Sequence, residues 1–239
     1  MKSITSDQMY MIENNSHNLI GMHRVYMMEN AGHGLADFIV NKFKIRLKEK
    51  KIVALCGLGN NGGDGFVASR HLTCYCPAYV TVILFGYPSD IRSEEAHINW
   101  EILQKMDSVE VIFSKDLNEY IKAKINKADI IIDGIFGTGI KGEIRYPNAH
   151  AIDLINSSKA YVVSIDVPSG LDPNTGIVHE KSVKANATVT FHRMKKGLLK
   201  NKKYTGTIHV ERIGIPPEAE RGVLRYLHES FSISCRRHG

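Results

Sequence analysis

The stretch I-V-A-L-C-G-L-G-N-N-G-G-D-G-F-V-A-S-R-H, residues 52–71, decides the fold class. Ile52 to Cys56 is an apolar run with the length of a strand buried on both faces. Five glycines follow within nine residues (Gly57, Gly59, Gly62, Gly63 and Gly65), with Asn60, Asn61 and Asp64 set among them. After Gly65 the spacing of Phe66, Val67 and Leu72 turns helical. A strand that ends in a glycine turn and reopens as a helix is where α/β proteins hold anions. The backbone comes close to the ligand, N–H groups point outward and the helix N-terminus favours negative charge. The expected element is an anion-binding loop. Its amide oxygens and carboxylate also suit a bound cation or a hydroxyl-rich ligand.

Gly57-x-Gly59-x-x-Gly62 satisfies the dinucleotide fingerprint, but its second half is missing. That fingerprint expects an acid at the end of the next strand to hold a ribose. Here the strand Val80 to Phe85 runs into Gly86-Tyr87-Pro88-Ser89-Asp90, and Asp90 lies in a loop past a proline. A dehydrogenase also has no use for Asn60, Asn61 and Asp64 inside the loop.

A chain of 239 residues, 43% hydrophobic and 23% charged, reads as a globular protein able to bury a large core. No apolar run approaches a membrane span, and Met1-Lys2-Ser3-Ile4-Thr5 lacks a signal peptide's apolar segment. Cys56, Cys74, Cys76 and Cys235 make no disulfide framework, so a reduced, cytoplasmic setting is expected. Cys56 reads as a core thiol, and Cys74-x-Cys76 has no second Cys/His pair at metal-ligand spacing. The net charge of +6 gathers in Arg193 to Lys203 (Lys195, Lys196, Lys200, Lys202, Lys203) and in Arg236-Arg237. The plain reading of that run is a solvated basic face. It could also attract nucleic acid or a phosphorylated small molecule.

Residues 4–46 read as two helices. The first is opened by the capping box Thr5-x-x-Gln8 and runs to about Asn15; the second spans Gly21 to Phe43. In the second, Met28-Glu29-Asn30-Ala31-Gly32 places small residues for helix packing, with Glu29 and Asn30 beside them. From Lys51 strands and helices alternate, with strands at 52–56, 79–85, 109–113, 128–133, 161–166, 187–191 and 207–210. Such alternation builds right-handed βαβ units and a mostly parallel sheet with helices on both faces. Residues 1–216 form the expected domain, and 217–239, opening at Pro217, a peripheral tail.

Two more strand ends carry chemistry. Ile130 to Ile132 ends in Asp133 and a glycine loop, Gly134 to Glu143; Val162 to Ile165 ends in Asp166-Val167-Pro168-Ser169-Gly170. In a parallel sheet all carboxyl ends lie on one edge, so the Asn/Gly loop, Asp133 and Asp166 should converge on one crevice. Gly137-Thr138-Gly139 with Lys141 offers backbone donors and a positive charge for a pyrophosphate.

Together, G-N-N-G-G-D-G-F-V-A-S-R-H-L (59–72), D-G-I-F-G-T-G-I-K-G (133–142), S-I-D-V-P-S-G-L-D (164–172) and T-V-T-F-H-R-M-K-K-G-L (188–198) resemble the NAD(P)H-hydrate epimerase family, the YjeF N-terminal domain. The resemblance implies a Rossmann-like three-layer α/β/α sandwich, a homodimer and one bound potassium ion. It implies interconversion of the R and S forms of hydrated NADH or NADPH. A separate ATP- or ADP-dependent dehydratase would act on the S form, because the chain ends soon after Ile215-Pro216, where bifunctional relatives continue into a second domain. Carried over by position, Asn61, Asp133 and Ser169 are the potassium ligands, with a carbonyl from the 137–143 loop. Substrate contacts fall on Asn60, Asn61, Gly62, Gly63, Asp64, on Gly137, Thr138, Gly139, Ile140, Lys141, Gly142, Glu143, and on Asp166. Oxygen ligands of this kind suit a large hard cation. Inverting C6 by losing and regaining water requires a proton donor and stabilisation of the cationic ring, and Asp166 is the expected acid–base residue, with Asp133 behind it. Departures are small: Leu58 is unusual, Glu143 stands where aspartate is common, and His192-Arg193 makes the late motif more basic. The alternative is a non-catalytic scaffold of the same domain, binding RNA or protein. It has no need of Asn61, Asp133, Asp166 and Ser169 together.

Overall fold

The computed structural model describes residues 3–139, 144–178 and 180–224. Among the described residues there are seven strands: β1 Lys51–Cys56, β2 Tyr79–Phe85, β3 Glu110–Ser114, β4 Ile130–Gly134, β5 Tyr161–Ile165, β6 Ala187–Phe191 and β7 Thr207–Glu211. They form one sheet in the order β3-β2-β1-β4-β5-β6-β7, and every pairing is parallel.

Parity along the strands sorts the core into two layers. On one face Ile52, Ala54 and Cys56 of β1, with Val82, Ile132 and Val163, meet four helices. These are α1 Ser6–Ile20, α2 Arg24–Phe43, α3 Asn60–Thr73 and α4 Glu94–Leu103, with Phe66 and Trp100 fully buried between them. On the other face Val53, Leu55, Ile83 and Ile131 meet α5 Glu119–Asn126 and α6 Asn148–Ser157 through Ile121, Ile125, Ile152 and Ile155. The result is a three-layer α/β/α sandwich of Rossmann type. Each of these aliphatic side chains contributes about 1.5–3 kcal/mol by leaving water. Among the described residues no helix is long and apolar enough to cross a membrane.

The capping box forms as the sequence indicates: the Gln8 amide donates to Thr5 Oγ1 at 3.1 Å, and the Thr5 amide donates to Gln8 Oε1 at 3.0 Å. The helix runs past Asn15 to Ile20 and stops where Gly21 turns left-handed, so α2 begins only at Arg24. Ala31 and Gly32 do serve packing, since a Cβ on Gly32 would lie 2.4 Å from Val67 Cβ on α3. Glu29 is used by Arg70 and His71, and Asn30 Nδ2 donates to the Ile213 carbonyl at 3.0 Å.

The reading of Asn60 to Gly65 changes: it is not a loop but the first turns of α3. Three glycines there oppose helix propensity, but tertiary packing overrides it. A Cβ on Gly62 would lie 2.0 Å from the Gly57 carbonyl oxygen, and one on Gly65 2.7 Å from Cys56 Sγ. The glycines let α3 start immediately behind β1. Residues 217–224, placed in the tail by sequence, pack on the body. Asn15 Nδ2 donates to the Ala219 carbonyl at 2.9 Å, and Glu220 is buried against His192 and Arg193.

Candidate functional site

The strand order reverses between β1 and β4, which in open parallel sheets is where ligands bind. A cleft of about 570 Å³ opens there at the carboxyl ends of the strands. One wall is Gly57 to Asn61 with Asp64, and beside it run Ile135 to Gly139. Asp166 enters from the end of β5. A further wall comes from Ser6, Met9, Tyr10 and Glu13, whose spacing is one face of α1.

The first N–H groups of α3 have no intrahelical partner, since the first bond inside the turn runs from Gly63 N to Gly59 O at 3.2 Å. They provide an anion cradle beside the Gly137-Thr138-Gly139 backbone. Gly62 and Gly63 do not line the cleft; they are buried, and Gly62 can take part only through its N–H. Ile140, Lys141, Gly142 and Glu143 lie outside the described residues, as do Cys235, Arg236 and Arg237.

Sheet register puts Asp133 opposite Ser164 on the neighbouring strand. Its carboxylate is fully buried and accepts from Ser164 Oγ at 2.7 Å, Ser169 N at 2.9 Å and Ser169 Oγ at 2.5 Å. Phe136 N donates to Ser169 Oγ at 2.9 Å, and Asn61 Nδ2 donates to the Phe136 carbonyl at 3.1 Å. So Asn61, Asp133 and Ser169 do come together, through Phe136. Burial pushes the pKa of Asp133 above the usual carboxylate range, and the Ser169, Ser164 and Ile135 donors oppose it. No basic side chain pairs with Asp133 among the described residues. A cation bound beside the carboxylate would offset the cost of that burial. Gly137 leaves room for one: a Cβ there would lie 3.0 Å from Asn61 Oδ1. The donor set is all oxygen and fits potassium rather than a transition metal. No cluster of three His, Cys, Asp or Glu side chains is present among the described residues.

Asp166 is built differently. Its φ is +59°, rare for a residue with a side chain, and Val167 N donates to Ile165 O at 2.6 Å across it. That is a strained γ-turn, and strain of this kind is stored at functional sites. Asp166 Oδ1 accepts from Thr190 Oγ1 at 2.9 Å, from Phe191 N at 3.2 Å and from the Lys195 ammonium. Oδ2 accepts nothing among the described residues and is left to the cleft. His192, at the end of β6, repeats the device with φ +60° and a bond from Arg193 N to Phe191 O at 2.6 Å.

Lys195 corrects the reading of 193–203 as a solvated basic face. Its side chain is 1% exposed, and besides Asp166 it donates to Thr190 Oγ1 at 3.2 Å and the Phe191 carbonyl at 3.0 Å. Arg193 is bidentate on buried Glu220. Only the outer lysines 196, 200, 202 and 203 are exposed. The signal for Lys195 was its place just past a strand end, on the edge that carries Asp166.

The cleft holds two more perturbed acids. Burial pushes Asp64 well above the usual carboxylate range, with Asp166, Glu13 and Glu95 adding to the effect and Lys195 opposing it. Burial likewise pushes Glu13 up to about 7; Lys195 and Arg24 oppose, while Asp166 and Glu95 reinforce. Glu13 carried no sequence signal, being one glutamate on an amphipathic helix.

The profile of the family described as YjeF-related protein N-terminus matches residues 25–197. The chain belongs to that family. Over 221 residues, 92% of this chain and 99% of the relative, it is 49% identical to the NAD(P)H-hydrate epimerase of Nitrosopumilus maritimus. The epimerase of Cenarchaeum symbiosum is 47% identical over the same coverage. The bifunctional NAD(P)H-hydrate repair enzyme of Pyrobaculum aerophilum is 45% identical over 92% of this chain, which spans 43% of that longer protein. In structure the chain is similar to the yeast protein ynu0, with a TM-score of 0.77, 25% identity and 88% of each chain covered.

Proposed function

We infer that this YjeF-family protein is an NAD(P)H-hydrate epimerase, interconverting the R and S forms of hydrated NADH and NADPH. The observation that carries the reading is Asp166: a carboxylate at the switch-point cleft, strained into a γ-turn, with one oxygen held by three donors and the other open. The epimerase relatives, matched end to end, agree with it.

The α3 N-terminus and the 137–139 backbone hold the pyrophosphate, which directs the hydrated ring toward Asp166. Asp166 moves the proton that lets the C6 hydroxyl leave as water, or that water gives up on returning. Pinning of Oδ1 fixes the aim of Oδ2, and the carboxylates around the cleft stabilise the cationic ring between the two steps. Asn61, Asp133 and Ser169 would hold a potassium ion, which would supply a fixed positive charge to the site. Bifunctional relatives imply that a dehydratase, fused or separate, consumes the S form; a homodimer and a cytoplasmic setting complete the proposal. The scaffold reading rested partly on the lysine run, and Lys195 and Arg193 are occupied within the fold.

The test couples a mixture of the two hydrates to an excess of S-specific dehydratase with ATP and follows the near-ultraviolet absorbance of restored cofactor. The slow phase, limited by spontaneous R-to-S conversion, should become fast on adding the protein and faster with potassium than with sodium. A slow phase left untouched overturns the reading.

A further inference from the structure

Epimerisation by loss and return of water makes a demand that Asp166 alone does not meet. The hydroxyl leaves from one face of the ring, and the new one must arrive on the other. Asp166 cannot swing between faces. Its backbone is locked in a γ-turn, and three donors converge on Oδ1. A second proton carrier has to come from another wall.

The cleft offers three other carboxyls: Asp64, Glu95 and Glu13. Asp64 sits in the buried first turns of α3 and is anchored to the strand-end side that also carries Asp166. Glu95 lies in the first turn of α4, on a different element from Glu13. Glu13 stands apart. It is presented by α1 on the face of Ser6, Met9 and Tyr10, and its reach is a methylene longer than that of an aspartate. It makes no hydrogen bond or ion pair among the described residues. The charged groups it senses are Lys195 and Asp166, then Arg24 of α2 and Glu95 of α4, with Asp64 of α3 in turn sensing it. Glu13 also lies outside the 25–197 stretch that defines the family match.

We propose that Glu13 is the second acid–base residue of the site, handling the proton at the ring face that Asp166 does not reach. This rests on the epimerase reading. In one direction Glu13 gives its proton to the C6 hydroxyl. The C6–O bond breaks with its electron pair leaving on oxygen as water, and the ring nitrogen lone pair forms the N1=C6 iminium. Water then adds to C6 from the opposite face and loses its proton to the Asp166 carboxylate. The proton now rests on Asp166 and Glu13 is ionised, the state that runs the reverse direction; exchange with solvent resets the pair. Burial keeps Glu13 protonated up to about pH 7, so both forms are populated near neutrality.

The experiment measures kcat and KM in both directions against pH for wild type, Glu13→Gln, Glu13→Asp and Asp64→Asn. Wild-type turnover tests the epimerase reading by itself; the variants test Glu13. Glu13→Gln should lower kcat about 10²-fold or more. KM should stay within about threefold, the inflection near neutral pH should vanish, and Glu13→Asp should recover part of the rate. Glu13→Gln serves as its own folding control. A carboxyl held protonated by burial loses the native state stability as pH rises from 4.5 to about 7, so the glutamine variant should be no less stable than wild type at pH 8. Wild-type kcat in Glu13→Gln, a loss confined to KM, or transfer of the whole effect to Asp64→Asn overturns the proposal.

Discussion

Asp133 and Asp166 end adjacent strands of one sheet, yet they are opposites. Asp133 is sealed: hydroxyls and amides of its own chain take up its oxygens, and no basic side chain faces it among the described residues. Asp166 is ion-paired with a buried lysine on one oxygen and open on the other. On the proposed function, the carboxylate surrounded by neutral donors would hold a cation in place, and the carboxylate clamped on one side only would act with the other. Position at a strand end predicts neither role; the partners decide.

The largest effect should come from breaking the open one. Asp166→Asn is expected to lower turnover by about 10²–10⁴-fold in the coupled assay. The same substitution deprives Lys195 of its buried counter-ion. Unfolding in urea should show a loss of about 3 kcal/mol, the low end for a broken buried pair, because Thr190 Oγ1 and Phe191 O still accept from Lys195. Adding Lys195→Met should restore stability and leave the enzyme inactive. If the double variant recovers turnover, Asp166 is not the acid–base group.

Next comes the sealed one. Asp133→Asn turns an amide NH2 toward donors from Ser164 and Ser169, at a cost of about 2–3 kcal/mol. Potassium should raise the melting temperature of the wild type by mass action, and the variant should lose that response. An undiminished response would move the ion elsewhere. Smallest is Ser164→Ala, which removes one of the donors on Asp133 and should cost about 1 kcal/mol in the same unfolding measurement, with turnover close to wild type. A loss of turnover as large as that of Asp166→Asn would erase the contrast between the two aspartates.

Much of this was legible from residues alone, because the signals were local. Ile52 to Cys56, the glycines behind it and the runs ending in Asp133 and Asp166 are contiguous, and a parallel sheet brings their ends to one edge. What escaped depended on distance. Lys195 looks like its neighbours until the chain folds it back onto Asp166, 29 residues earlier. Asn60 to Gly65 reads as a loop until Gly57 and Cys56 are seen to press on it. Glu13 has no motif, and only the docking of α1 over the cleft reveals it.

That docking is secured at the very start of the chain. Ile4 N donates to the Met194 carbonyl at 2.8 Å, and Lys196 N donates to the Ile4 carbonyl at 2.9 Å, a two-bond bridge on either side of Lys195. When the bridge parts, the backbone that carries the counter-ion of Asp166 is released in the same event. Deuterium uptake at the Ile4 and Lys196 amides is therefore a clock on the Asp166 carboxylate, ticking each time that bridge lets go.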